Sequence, residues 1–275
     1  MIDYLPPGDL IFLGTGTSHG VPMIGCECAV CTSPDLRNVR TRSSVILGLP
    51  EGNLLIDTPA DLHRQFVREK IRFANSILYT HAHSDHLMGL DETRIFSLFL
   101  SFYTNNDSIP VYCEARVEKD IRKKFDYIFD PEVQKYPAGG IPKLDMREIR
   151  PFEPFSVLGA EVVPLRFHHG RTDILGFRIG NAAYCTDVKS VPPETLPWLY
   201  DLDILILGCL RYRFHPTHMS VGEALALVEK IRPKKTFFTH ICHDLDHEKF
   251  SRELPENVFP AYDGLRLAEF LVCSF

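Results

Sequence analysis

The chain has no excess of positive charge: 30 lysines and arginines stand against 36 aspartates and glutamates. A protein that grips nucleic acid is expected to carry a basic face, so this balance speaks against a nucleic-acid partner. No apolar run reaches the roughly 20 residues that a membrane helix needs. The opening MIDYLPPGDLIFLG lacks the basic segment and small-residue cleavage site of a secretory signal. A cytoplasmic protein with no membrane segment is therefore expected. Internal repeats and low-complexity linkers are missing too, and residues 1–275 read as a single domain. No nucleophile-elbow motif and no Walker-type loop is present, which leaves covalent serine chemistry and nucleotide-triphosphate cradling without a sequence basis.

What the chain does have is a series of short apolar runs bounded by Gly, Pro and Asp. DLIFLG, SSVILGL, NLLIDT and SILYTH read as strands, followed by helices over DLHRQFVREKI and MGLDETRIFSLFLSF. The strand IPVYCE and the helix ARVEKDIRKKFDYIF come next, and YPAGGIPKLDM reads as a Gly/Pro-rich surface loop. AEVVPLRFH, LGFRIG, AAYCTD, DILILGCL, KTFFTHI and LRLAEFLV read as further strands, with a helix over SVGEALALVEKI. Strands in both halves with interleaved helices fit two packed sheets carrying helices outside.

Histidine is the telling residue, because its 12 copies are clustered. YTHAHSDHLMG puts His81, His83, Asp85 and His86 where an apolar strand ends. Imidazoles and a carboxylate this close together repel protons from one another, and a divalent cation that accepts their lone pairs resolves the conflict. Three later segments share the same context, a polar residue closing an apolar strand: VVPLRFHHG with His168 and His169, AAYCTDV with Asp187, and KTFFTHI with His240.

This order, H-x-H-x-D-H followed by a histidine, an aspartate and a late histidine, resembles the metallo-β-lactamase fold hydrolases along nearly the whole chain. The resemblance implies an α/β fold, an αββα four-layer sandwich, with two divalent metals at the sheet edges. By position it implies that His81, His83 and His169 hold the first metal, that Asp85, His86 and His240 hold the second, and that Asp187 bridges them. His169 is preferred to His168 because the family pattern places glycine directly after the ligand, as Gly170 stands here.

Cys26, Cys28 and Cys31 crowd into one loop, and a structural zinc site takes four ligands. A redox Cys-x-x-Cys pair normally opens a helix, whereas Gly25, Ser33 and Pro34 mark a loop here. GTGTSHGVPMIGCECAVC is similar to the PhnP-like phosphodiesterase branch of the superfamily. That similarity implies a structural zinc completed by His243, three places after the last catalytic ligand, with His247 as the alternative. The remaining cysteines sit mostly in apolar strand text and are expected to be buried thiols.

A metal pair can generate a nucleophilic hydroxide at neutral pH and stabilise charge on a phosphoryl oxygen. The resemblance implies a phosphodiesterase acting on a small cyclic phosphate, of the phosphoribosyl or nucleoside type, with manganese or zinc in the catalytic pair. His218, in YRFHPTHMS, is the candidate general acid or substrate clamp, its bland alternative being a cap on the following helix. Asp85 is a second candidate for proton transfer in this family, and Arg211, Arg213 and His215 are candidate substrate contacts. His19 has no assigned role, and His63 reads as solvated. The alternatives are an RNA-processing hydrolase similar to tRNase Z, disfavoured by the acidic balance, and a catalytically silent metal-dependent binding module. A homodimer is left open.

Overall fold

The computed structural model describes residues 4–104, 106–137 and 139–268. Its strands are β1 (Leu10–Gly14), β2 (Ser44–Leu49), β3 (Gly52–Ile56), β4 (Ser76–Leu78), β5 (Ile109–Cys113), β6 (Leu144–Glu148), β7 (Phe155–Val157), β8 (Ala160–His169), β9 (Thr172–Ile179), β10 (Ala182–Cys185), β11 (Ile204–Gly208), β12 (Lys235–Thr239), β13 (Val258–Pro260) and β14 (Arg266–Leu267). The helices are α1 (Leu62–Glu69), α2 (Ser84–Leu87), α3 (Arg94–Thr104), α4 (Ala115–Lys124), α5 (Val221–Ile231) and α6 (His247–Glu253). The strands form two seven-stranded sheets, ordered β14-β1-β2-β3-β4-β5-β6 and β13-β12-β11-β10-β9-β8-β7. In each sheet one half is antiparallel and the other parallel, with β3 to β6 parallel in the first and β10 to β13 in the second.

Alternation along the strands sorts the apolar side chains into three layers, since successive residues of a strand face opposite ways. Leu10 and Phe12 of β1, Phe177 of β9, Ile206 of β11 and Phe237 of β12 meet between the sheets. Their neighbours turn outward: Ile11 and Leu13 pack under α1, α3 and α4 with Phe66, Phe96 and Ile121. Leu205, Leu207 and Phe238 pack under α5 and α6 with Leu227 and Phe250. Helix, sheet, sheet, helix is the resulting order. Among the described residues no helix is long and apolar enough to cross a membrane.

The helix expected over residues 88–102 is broken. A short α2 and a 3-10 turn (Leu90–Thr93) precede α3, because Gly89 is pressed against another segment. Its N–H donates to the Thr58 carbonyl at 2.9 Å, and a Cβ there would lie 2.0 Å from the Pro59 carbonyl oxygen. The helix expected over 115–129 ends as α4 at Lys124 and continues as a 3-10 turn (Asp126–Phe129). The loop expected over 136–146 gives way at Leu144 to β6, an edge strand whose burial is too slight to leave an apolar signature. The strand expected over 265–272 forms only at Arg266–Leu267, with Ala268 in a turn, and residues from 269 on, Cys273 among them, lie outside the described residues.

Candidate metal centre

The parallel halves of the two sheets bring their carboxyl ends together, the position at which open α/β sheets bind ligands. β4 runs into His81 and His83, and α2 carries Asp85 and His86. β8 ends at His169, Asp187 lies just beyond β10, and His240 follows the last residue of β12. The ligand atoms form two groups, His81, His83, His169 and Asp187, and Asp85, His86, Asp187 and His240, each within 4.8 Å of one another. Asp187 belongs to both groups. His168 does not join them: its Nδ1 pairs with Asp173 at 2.8 Å.

Hydrogen bonds fix the ring faces. His169 Nδ1 lies 2.9 Å from the Asp187 carbonyl and 2.8 Å from that of Thr217. Carbonyls only accept, so Nδ1 carries the proton and Nε2 keeps its lone pair. His86 Nδ1 meets Asp57 Oδ2 at 2.7 Å, which likewise frees Nε2. Asp57 also takes the Thr80 N–H at 2.9 Å and the Thr80 hydroxyl at 2.8 Å. The Thr80 hydroxyl in turn lies 2.9 Å from His81 Nδ1. Asp57 is thus a buried anchor for two rings, and it was missed in the sequence although NLLIDT carries the same mark as the other strand ends. Ser43 Oγ, 3.3 Å from His240 Nδ1, is a second missed support.

The electrostatics of the cluster calls for a cation. His81 Nε2, His86 Nε2, His240 Nε2 and Asp85 Oδ2 are buried without a hydrogen-bond partner, a costly state unless something else satisfies them. Burial and the neighbouring His86 hold His81 far below the usual imidazole range, so it stays neutral with a lone pair to offer. Burial opposes charge on His86, yet Asp187, Asp85 and Asp57 override it and push its pKa well up. Burial likewise opposes charge on Asp187, and His240 and His86 overrule it, holding the carboxyl well below the usual range. Asp85 follows the same pattern, with His86 as the overriding neighbour. Three carboxylates around one imidazole, among neutral rings with unused lone pairs, fit divalent cations.

Backbone strain accompanies the cluster. Asp57, Asp187 and His240 adopt φ of +64°, +58° and +58°, a left-handed conformation that costs L residues energy and gathers at functional sites.

A cleft of about 480 Å³ opens over the first group. It is lined by Thr17, Ser18, His19 and Met23 of the N-terminal loop, by Arg211, Arg213, His215 and His218 of the segment after β11, and by the ligand candidates His83 and His169. Arg211 Nε is buried without a hydrogen-bond partner, and Arg211 makes no ion pair among the described residues. Arg213 reaches Asp244 at 3.3 Å. His218 does not cap α5. Ser220 does so, in a capping box with Glu223, which leaves the imidazole to the cleft. Its Nδ1 stands 4.0 Å from Asp187 Oδ2, and its ring stacks on His240 at 4.7 Å. Burial and the nearby His240 push its pKa down to about 2.

Cys26, Cys28, Cys31 and His243 form a third group within 4.8 Å. A tetrahedron with zinc–sulfur bonds has edges of about 3.8 Å, so the spacing suits zinc. Backbone N–H groups of Met23 and Cys31 point at the sulfurs of Cys31 and Cys28, at 3.4 and 3.5 Å. Burial outweighs this at Cys31 and pushes its thiol up to about 11, so of these two, without an ion, only Cys28 is tuned towards the thiolate. The bond from the Cys31 N–H and the one to His243 lower the Cys28 pKa to about 6. His247 stays apart, against the Tyr262 ring. The buried Arg40 ties the two segments together, donating to the carbonyls of Cys242 at 3.0 Å and Leu245 at 2.8 Å.

A family model described as Beta-lactamase superfamily domain matches residues 52–241. A Porphyromonas gingivalis protein named Octanoyltransferase is 36% identical over 258 residues, which are 93% of this chain and 50% of that protein. The chain spans about half the length of the curated relatives it matches. A crystal structure described as a new diphosphatase from the PhnP family is 40% identical, with a TM-score of 0.86 over 94% of this chain and 96% of that one. Zinc-bound PqqB from Methylobacterium extorquens is 19% identical, with a TM-score of 0.71 over 94% and 99%, a likeness of fold alone.

Proposed function

The chain belongs to the β-lactamase superfamily domain family, and from that membership we propose that it is a dinuclear-metal phosphodiesterase for a small substrate, with a cyclic ribosyl or nucleoside phosphate as first choice. The hydrolase class and the αββα sandwich come with the family; the substrate and the residue roles are our reading. The observation that carries it is the pair of four-ligand groups sharing Asp187, with unpartnered nitrogens facing one another beneath a cleft.

His81, His83, His169 and Asp187 would hold one divalent ion, and Asp85, His86, Asp187 and His240 the other. Zinc or manganese bound there supplies an activated water at neutral pH and a Lewis acid for a phosphoryl oxygen. The protein's own groups do the rest. Asp85 and Asp187 remain ionised, since their histidine neighbours hold both carboxyls down. In that state Asp85 can accept a proton from a water beside it. His218, kept neutral by burial, serves as a hydrogen-bonding clamp on substrate rather than as a store of an extra proton. Arg211, Arg213 and His215 lie where they can neutralise and orient a phosphate. Cys26, Cys28, Cys31 and His243 would hold a structural zinc that fixes the cleft wall. The unpaired state of the described cysteines fits a reducing, cytoplasmic setting.

A second reading, hydrolysis of a diphosphate linkage, is favoured by what the 40%-identical structure is called. Both are tested by offering the metal-loaded protein bis-p-nitrophenyl phosphate, 2′,3′-cyclic nucleotides, a ribosyl cyclic phosphate, a nucleoside diphosphate ester and precursor tRNA. Cyclic phosphate turnover is expected, and it should fall at least about a thousandfold in His81→Ala and Asp187→Ala. Preference for the diphosphate ester selects the second reading. Turnover of tRNA alone, or of nothing, overturns both.

A further inference from the structure

The geometry points to Lys189 as a positioning residue for His218, an assignment that rests on the clamp role given above to that histidine. Lys189 follows the strand end that carries Asp187, and its backbone N–H donates to the His168 carbonyl at 2.8 Å. Its side chain reaches Phe214 and His218 of the segment after β11 and is only 16% exposed. There the ammonium meets three groups at once. It donates to Glu223 Oε1 at 2.6 Å, approaches the His218 carbonyl at 3.4 Å, and sits 4.2 Å from the centroid of the Phe214 ring.

Of these partners His218 lines the cleft itself, while Glu223 and Phe214 stand behind it. Glu223 accepts the Ser220 N–H and hydroxyl, both at 2.8 Å, and so closes the start of α5. Phe214 stands between Arg213 and His215, which face the cleft, and its ring is otherwise largely in solvent. The His218 carbonyl belongs to the clamp itself. On the far side of that residue, the Met219 N–H donates to the Val188 carbonyl at 2.9 Å. Residues 188 and 189 thus hold the chain immediately around His218, one through its backbone and the other through its charge.

A histidine that is to meet a phosphoryl oxygen must be held to a fraction of an ångström. The imidazole here stacks on His240 at 4.7 Å and meets His169 in a T-shaped contact at 4.6 Å. Among the described residues none hydrogen-bonds to its ring atoms, and the nearest carboxylate is 4.0 Å away. Its position is therefore set through the backbone, and Lys189 is the charged group that reaches that backbone. With its side chain largely buried, the lysine makes a charge-assisted strut stronger than an exposed one.

The test is Lys189→Met in the zinc-loaded full chain, beside Lys189→Arg, His218→Ala and the double variant Lys189→Met/His218→Ala. Lys189→Met should lower kcat for the turned-over phosphodiester at least tenfold, with KM within threefold and zinc content unchanged. Lys189→Arg should recover most of the loss. In the His218→Ala background, the lysine change should cost less than a further twofold, because a group that acts through another has nothing left to act on. Histidine-selective NMR of the zinc-loaded protein reads the same claim without turnover. The His218 resonances should broaden or split in Lys189→Met while those of His81 and His86 stay put. If the wild type turns over no phosphodiester, the functional reading fails and the NMR result still decides the positioning claim. Should Lys189→Met not fold, Glu223→Gln replaces it and should perturb the same resonances. Unperturbed His218 signals, or full multiplicative loss in the double variant, overturn the assignment.

Discussion

Asp57 never reaches the cleft, yet it supports two rings of the cluster, His86 directly and His81 through Thr80. Burial pushes its carboxyl above the usual range, and His86 and the Thr80 donors pull it back. Its exchange for asparagine keeps the shape and removes the charge that orients His86. Metal affinity at the group of Asp85, His86 and His240 should fall ten- to a hundredfold, as supporting partners of ligating histidines typically do. Competition with a chelating dye measures this, and an unchanged affinity would remove Asp57 from the role. His247 gives a prediction in pH. Burial, with Arg37 and Arg40 nearby, lowers its pKa from 6.5 to about 4. The unfolded chain therefore binds this proton more readily than the folded one between those values. Stability is present in full above pH 6.5 and is lost as the pH falls towards 4. His247→Asn should flatten that part of the denaturation profile relative to wild type; identical slopes would refute it. At this scale the ligand residues were legible because each is a charged or imidazole side chain closing an apolar run. Asp57 carries the same mark and was passed over, since no count of ligands required it.

Strands and loops were unevenly legible. Those buried along nearly their whole length, such as β1 (LIFLG) and β11 (ILILG), wrote continuous apolar text. β6 and β7 lie at sheet edges, the one mixed in polarity and the other only three residues long, so nothing distinguished them from loop. The break before α3 was hidden for a different reason: it depends on the close approach of Gly89 to Pro59, a contact between distant segments. The cysteine loop was readable in residue types, but the choice between His243 and His247 needed the turn after β12. That turn sends His243 to the sulfurs, with its Nδ1 3.2 Å from Cys26 Sγ. Cys28→Ser should lower bound zinc by about one equivalent and reduce Tm by several degrees. Elemental analysis and calorimetry check it, and unchanged zinc would mean the cysteines do not form a site.

For the whole molecule, the site exists only where two sheets meet. Residues of the first sheet supply His81 to His86, and residues of the second supply His169, Asp187 and His240. The layer between them is what holds these halves in register. Phe177, 1% exposed and in that layer, is a point to test it. Phe177→Ala should cost about 3–5 kcal/mol of stability, the usual range for a buried phenylalanine. Urea unfolding measures this, and a loss under about 1 kcal/mol would show that the layer is loosely packed. The strand and helix alternation only fitted two packed sheets with helices outside, and the four-layer order came from the family resemblance. The matching of parallel ends across the two sheets was not legible, because strand order is not written in any local run.

His240 and His243 stand three residues apart on one turn. Whatever ion the sulfurs accept and whatever ions the imidazoles accept must therefore pull on the same short peptide. Thermodynamic reciprocity then fixes the outcome: if loading the thiolate cage tightens the neighbouring pair by some factor, occupancy of that pair tightens the cage by the same factor. Stripping either compartment with a chelator should displace the other's titration curve by an equal interval.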